Sequence, residues 1–351
     1  MSIQELLAET ARLDASDLHI IVGFPPMLRI LDQLHPVAGT TVLSPSQTEE
    51  YILALCTPER KGLFLANKEL DFSINTPQGR FRANIYYQKG TVAGAFRHIP
   101  STIRTIEALG LPNILYEFTK LRQGFILVTG PTGEGKSTTL AAMIQHINET
   151  RDLHVITIED PIEYVYPSGL SLISQREMHE DTYSWTIALR GVLREDPDVV
   201  LVGEMRDYET IAAALTIAET GHLVFATLHT NSASQTVDRI IDVFPEGQQQ
   251  QIRFQLSNTL EGVVSQRLVP ALSGGRMAIC EVMTGIPAVR SIIRDGKTNQ
   301  LDNVILTSSE FSMMSLEMSL AKAVMDGKIS VEVASSYAIR PEDLGKMIKR
   351  I

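Results

Sequence analysis

The sequence predicts an α/β protein in series: an N-terminal α+β unit over residues 1–98, a linker over 99–112, and a second unit over 113–351 that is built on a parallel sheet and ends in helices. Three observations carry that prediction. Between Glu69 and Arg97 three β-rich runs follow one another with only turns between them, which describes a meander. From Gly124 onward short apolar, β-branched runs alternate with helical stretches, as in a parallel sheet covered on both faces. The first of those runs leads directly into Gly130-Pro-Thr-Gly-Glu-Gly-Lys-Ser-Thr138, which matches GxxxxGK[ST] at Gly130, Gly135, Lys136 and Ser137.

In order along the chain, a leading helix gives way to Asp17–Val22 and then to Met27–Leu31, a strand with its turn near Asp32-Gln33. Ser44-Pro45 opens a helix: Ser44 is the cap, Pro45 takes the first helical position and Gln47 completes a capping box ahead of Tyr51–Leu55. The meander strands are Glu69–Ile74, Arg80–Tyr87 and Thr91–Arg97, separated by turn signals at Pro77-Gln-Gly79 and Lys89-Gly90. Ile99-Pro100-Ser-Thr102 and Gly110-Leu-Pro112 interrupt both patterns and mark the linker. Strands of the second unit are expected at Phe125–Thr129, His154–Ile158, Val199–Val202 and Leu223–Thr227, with helical character at Thr138–Ile147 and Trp185–Arg194. Beyond Pro245 the chain reads as mostly helical, with one β-like run at Arg276–Met283.

Composition narrows the function. With 44% hydrophobic and 21% charged residues the chain has the makings of a packed globular protein. Its formal charge of −10 is a poor footprint for a protein whose main partner is DNA or RNA. Cys56 and Cys280 lack metal-site spacing and suggest buried thiols in a reducing compartment. Glu5 and Glu9 stand where a secretion signal carries positive charge, and no apolar run approaches the roughly 18 residues of a membrane span. A cytoplasmic location is expected.

The glycine loop is a phosphate cradle: Gly130, Pro131, Thr132, Gly133, Glu134, Gly135, Lys136, Ser137 and Thr138 wrap a polyphosphate with backbone N–H groups and pass it to the positive end of the next helix. Lys136 then neutralises phosphate oxygens and Ser137 holds Mg²⁺. Ligands of open α/β sheets bind beyond the carboxyl ends of the strands, so the residues following each strand are the site candidates. They are Glu163, in Glu159-Asp-Pro-Ile-Glu163, then Glu204, closing an apolar Walker B type run, and His229. Glu163 lies past Pro161, off the sheet, where pairing with an arginine is the competing role. His222 and His229 flank one strand about 23 Å apart at about 3.3 Å per residue, so they cannot share a metal or a phosphate. His229 is the γ-phosphate sensor candidate, and His222 a structural or interfacial residue. Arg190 and Arg194 share a helix face, where ion pairing competes with a site role. Arg80 and Arg82 share a strand face, with Arg97 on a neighbouring strand; they either cover a sheet edge or act as arginine fingers in another subunit's site. In the tail Leu344, Met347, Ile348 and Ile351 recur at helical spacing, as expected of packing against the chain's own fold, with contact to a membrane platform as the alternative.

Gly130–Thr138, Ile158–Tyr164, Leu193–Asp207 and Glu219–Thr230 resemble the Walker A, Asp box, Walker B and His box of the secretion ATPase superfamily, and within it the pilus-retraction motors. The resemblance extends from Ser16-Asp-Leu-His19 through Asp238–Pro245 to Ala288–Asp295. It implies an N-terminal PAS-like domain, a RecA-like ATPase domain with a helical C-terminal region, and a homohexameric ring that hydrolyses ATP with Mg²⁺ to power type IV pilus retraction and twitching. It also implies Glu163 as general base, Glu204 serving Mg²⁺ and water, and N-domain arginines entering a neighbour's site. Expected partners are an inner-membrane pilus platform protein, at whose cytoplasmic face the ring docks, and an accessory retraction ATPase. Pilus-extension and type II secretion ATPases are the nearest alternative, but they commonly carry a further N-terminal region and a tetracysteine zinc site. An accessory retraction protein and a DNA translocase are the others. The chain departs from the family pattern at Glu134, where a small residue is usual, and in Ala288-Val-Arg-Ser-Ile-Ile-Arg-Asp295, where the family commonly reads AIRNLIRE.

Overall fold

The structure is a computed structural model and describes residues 1–30, 33–99 and 102–349. It divides into two units, Met1–Thr102 with Glu163–Pro167, and Ile103–Ile162 with Ser168–Ile351.

In the first unit α1 (Ile3–Arg12) begins with a capping box between Ser2 and Glu5. β1 (Asp17–Ile20), β2 (Met27–Ile30) and β3 (Gln33–Pro36) follow, then α2 (Pro45–Leu53), α3 (Pro58–Asn67), β4 (Glu69–Thr76), β5 (Gly79–Gln88) and β6 (Thr91–Ile99). The strands form one sheet in the order β3-β2-β1-β6-β5-β4, every pair antiparallel. Helix and sheet bury Leu6, Leu7, Leu18, Ile20, Phe64, Phe81 and Phe96 between them. The Ser44–Gln47 box opens α2 as its sequence predicts. Leu31 and Asp32, in the expected turn, and Pro100-Ser101, in the expected linker, lie outside the described residues. Gln33 starts a strand that the sequence does not announce, because all four residues of β3 are exposed and show no apolar alternation.

The second unit starts with α4 (Ile114–Lys120), β7 (Gly124–Thr129), α5 (Lys136–Thr150), β8 (His154–Glu159), β9 (Leu172–Glu177) and α6 (Trp185–Val192). It continues with β10 (Val199–Val202), α7 (Tyr208–Glu219), β11 (Leu223–Leu228), α8 (Ala233–Asp242), α9 (Glu246–Thr259), β12 (Leu260–Pro270) and β13 (Arg276–Thr284). Helices α10 (Pro287–Arg294), α11 (Leu301–Thr307), α12 (Leu316–Met325), α13 (Val331–Tyr337) and α14 (Pro341–Lys349) complete it. The sheet order is β13-β12-β7-β11-β10-β8-β9, parallel except for the antiparallel β12–β13 pair. β7, β10 and β11 are buried along their whole length, the condition that writes them as continuous apolar runs.

Two expectations are corrected here. The region beyond Pro245 contains two long strands, because Leu260–Pro270 pairs with β7 on one side and β13 on the other. The helix expected to reach Arg194 stops at Val192, with Leu193 as its cap, and the side chains of Arg190 and Arg194 form no ion pair among the described residues; Arg176 and Glu195 pair instead at 2.9 Å. Leu344 is buried, and Met347 and Ile348 pack with it against the cluster of Leu316, Leu320 and Ile329, as expected of the tail; Arg350 and Ile351 lie outside the described residues. No helix among the described residues is long and apolar enough to cross a membrane.

Candidate nucleotide site

β7 ends at Thr129 and α5 starts at Lys136, so the phosphate loop is the whole connection between a buried strand and a helix. Gly130, Gly133 and Gly135 take φ of 143°, 82° and 80°, a region that costs other residues strain. At Gly130 a Cβ would also stand 2.4 Å from the carbonyl oxygen of Gln266 on β12, so no larger residue fits. Lys136 is buried at the root of the loop, its Nζ donating to the carbonyls of Gly130 at 2.8 Å and Pro131 at 2.9 Å. Glu134 accepts the N–H of Leu268 with its carboxylate, which places its charge against the β12 backbone. The loop thereby accommodates a residue that is unusual at this position.

The neighbouring strands bring their end residues to the same place. Lys136 Nζ lies 3.4 Å from His229 Nδ1, and His229 Nε2 lies 3.1 Å from Glu204 Oε1. Arg206 Nη2 donates to the other Glu204 oxygen at 3.0 Å. Burial pushes the Glu204 carboxyl upward, but the Arg206 hydrogen bond and the adjacent His229 together outweigh it and hold the group below the usual carboxylate range. Glu204 is thus a well-held anion two residues beyond β10. Arg206 was not singled out from the sequence, although its spacing of two from Glu204 along an extended backbone places both on one side. Beside the loop lies a cavity of about 420 Å³ lined by Arg104, Glu107, Gly135, Thr138, Leu268 and Arg276 among others.

The structure therefore brings Lys136, Glu204, His229 and the loop Gly130–Thr138 together in the second unit. His222, by contrast, is bound into the end of α7, its Nδ1 3.0 Å from the Ile217 carbonyl and 3.1 Å from Thr220 Oγ1. Glu163 opens the short segment that groups with the first unit. Arg80, Arg82 and Arg97 belong to the sheet of that unit. Arg80 donates to Asn75 at 3.0 Å, Arg82 pairs with Asp71 at 2.5 Å and Arg97 with Asp17 at 3.0 Å.

Residues 111–279 match the family described as type II/IV secretion system protein. A Pseudomonas aeruginosa protein named type IV pilus retractation ATPase PilT is 45% identical over 344 residues, which cover 98% of this chain and 100% of that one. The chain belongs to this family, in its PilT branch. Type IV pilus ATPase PilU of Pseudomonas aeruginosa is 39% identical over 99% of this chain and 92% of its own length. Among solved structures, a crystal structure of the pilus retraction motor PilT with bound ADP superposes with a TM-score of 0.93 at 42% identity, covering 99% of both chains. The PilT fold, with its phosphate-loop ATPase domain, is therefore the fold of this chain, as the sequence predicts.

Proposed function

We propose that this chain is the Mg²⁺-dependent ATPase motor of type IV pilus retraction and twitching motility. The observation that carries the reading is the convergence of the phosphate loop, Lys136, His229 and Glu204 at the carboxyl ends of β7, β10 and β11. Residues 1–98 act as the PAS-like domain, 99–112 as the linker, and 113–351 as the ATPase domain with its helical region.

The donor set fits MgATP. Positive φ at its glycines lets the loop turn N–H groups toward a phosphate, α5 adds the positive end of its dipole, and Lys136 supplies a full charge at the root. Ser137 and Glu204 would hold Mg²⁺, which when bound neutralises charge on the phosphate oxygens. Glu163 accepts the proton of the attacking water as general base, and His229 links the state of the γ-phosphate to Glu204. Arg80, Arg82 and Arg97 serve a neighbouring subunit's site within a homohexamer. The ring docks at the cytoplasmic face of the inner membrane on a pilus platform protein. Phosphate release with Mg²⁺ and with chelator tests the chemistry. Deleting the gene and imaging surface pili tests the biology: long static pili with lost twitching support retraction, whereas bald cells would show assembly and overturn it. The 39% identity to PilU keeps an accessory retraction ATPase as the second reading. A chain that restores twitching only when a second retraction ATPase is present would favour it.

A further inference from the structure

We infer that Gln266 on β12 is a positioning residue that holds the phosphate loop in its nucleotide-binding shape; the inference rests on the nucleotide reading above. Gln266 is 2% exposed in the middle of a strand, where an amide side chain is unfavourable unless both its ends are bonded. One end goes to the phosphate loop and the other to the first turn of the helix that follows it. Its Oε1 accepts from Thr139 Oγ1 at 2.6 Å, in the first turn of α5, and its Nε2 donates to the Glu134 carbonyl at 2.7 Å, in the loop itself. A carbonyl only accepts, so the amide cannot be turned round without losing that bond.

The backbone of β12 adds two further contacts. The Gln266 carbonyl approaches Gly130 so closely that a Cβ there would stand 2.4 Å away, and the Leu268 N–H donates to the Glu134 carboxylate. The start of the loop, its middle and the helix beyond it are thus all referenced to one strand. β12 pairs in parallel with β7 up to Ser265 opposite Thr129, so the strand that feeds the loop and the strand that holds it share one register. Backbone N–H groups bind phosphate best when they are already aimed, because ordering them on binding subtracts from affinity. Gln266 does that aiming from β12, through its bonds to Glu134 and Thr139.

The test uses the full-length protein and a fluorescent ADP analogue with Mg²⁺. Gln266→Met keeps volume and removes both bonds; Thr139→Val removes one, and Thr139→Ser retains the donor. Gln266→Met is expected to weaken binding about tenfold, the size of one to two lost hydrogen bonds. Thr139→Val should weaken it less, Thr139→Ser should bind as the parent does, and adding Thr139→Val to Gln266→Met should weaken binding by less than the two separate effects combined. Melting without nucleotide should change little. If Gln266→Met and Thr139→Val lower melting temperature while their folded fractions bind as the parent does, Gln266 is structural only and the inference fails. Should Gln266→Met not fold, Thr139→Val against Thr139→Ser decides alone. A parent that binds no nucleotide overturns the functional reading and this inference together, whereas a binding parent with equally tight variants overturns only the inference.

Discussion

Glu204 Oε1 and His229 Nε2 stand 3.1 Å apart, each contributed by the segment just beyond one of two adjacent parallel strands. His229 faces Lys136 with its other nitrogen, at 3.4 Å, so the imidazole lies between the cation of the phosphate loop and the carboxylate that follows β10. Binding and turnover should therefore fail separately when the two ends are changed.

Lys136→Ala is expected to abolish nucleotide binding, because its Nζ is the charge held at the root of the loop, against the Gly130 and Pro131 carbonyls. Glu204→Gln should keep ATP bound while turnover falls about a hundredfold or more. Equilibrium binding of labelled ATP beside steady-state phosphate release measures both. A Glu204→Gln protein with parental turnover would remove this carboxylate from the mechanism.

Arg290 and Arg294 lie on α10, far along the chain from the phosphate loop, yet they differ sharply. Arg290 donates to the carbonyls of Gly285, Ser257 and Asn258 and pairs with Glu261 at 2.6 Å, so it clamps α10 onto the end of α9 and the start of β12. The side chain of Arg294 is exposed and has no ion pair among the described residues. Arg290→Ala should lower stability by roughly 1–3 kcal/mol through its lost bonds. Arg294→Ala should melt normally, keep its ATPase and lose pilus retraction, if this helix transmits force. Loss of ATPase in a well-folded Arg294→Ala ring would instead connect the helix to the nucleotide site.

Glu281 is buried on β13, where its Oε1 accepts the Ala233 N–H at the start of α8 at 2.7 Å. Its carboxyl is pushed up to about 7, chiefly by burial and in smaller part by Asp302 and Glu317, against the opposing Ala233 N–H and Arg340. Between the ordinary value of 4.5 and about 7 the folded chain holds a proton that the unfolded chain has lost. Stability from this group is therefore present below that window, declines as pH rises through it and is absent above it, a change on the order of 3 kcal/mol. Denaturant unfolding from pH 5 to 8 should show the decline, and Glu281→Gln should flatten it. An unchanged slope in the variant would assign the pH dependence to other groups.

Arg82 and Arg97 face each other directly across β5 and β6, Arg82 paired with Asp71 and Arg97 with Asp17. With side chains 45% and 70% exposed, these pairs are weakly held, about 1 kcal/mol or less, so neither arginine is committed to its partner. Mixing an Arg80/Arg82/Arg97→Ala subunit with a Glu204→Gln subunit should restore part of the ATPase that neither has alone. Rings shown to be mixed and still inactive would confine these arginines to their own sheet.

Much of this was legible in the sequence because burial writes itself as pattern. β7, β10 and β11 are buried on both faces and read as apolar runs, and the loop must spell its glycines. β12 escaped for the same physical reason that makes it informative: Ser265 and Gln266 interrupt the apolar run and are buried all the same. β9 is an edge strand with only its last residue buried, so its alternation is weak. α3 was missed despite Thr57 capping ahead of Pro58, since Phe64 is its only buried residue. That Asp17 serves both Arg29 and Arg97 depends on three strands lying side by side, which no local pattern encodes.

The four residues of β10 leave Glu204 little tolerance for a change in chain length. Gly203 donates its N–H to Ile158 at 2.8 Å, and a Cβ at Gly203 would stand 3.1 Å from that same carbonyl oxygen, so the backbone between strand and carboxylate has no slack. One inserted residue would turn Glu204 away from His229, because side chains alternate with a period of two. The turn at 271–275, by contrast, closes on itself through Ala271 and Gly275 and carries two glycines at positive φ. Chains of this fold should therefore vary in length at that turn and keep a fixed count from Val199 to Glu204, which makes spacing as strict a signature of the site as residue identity.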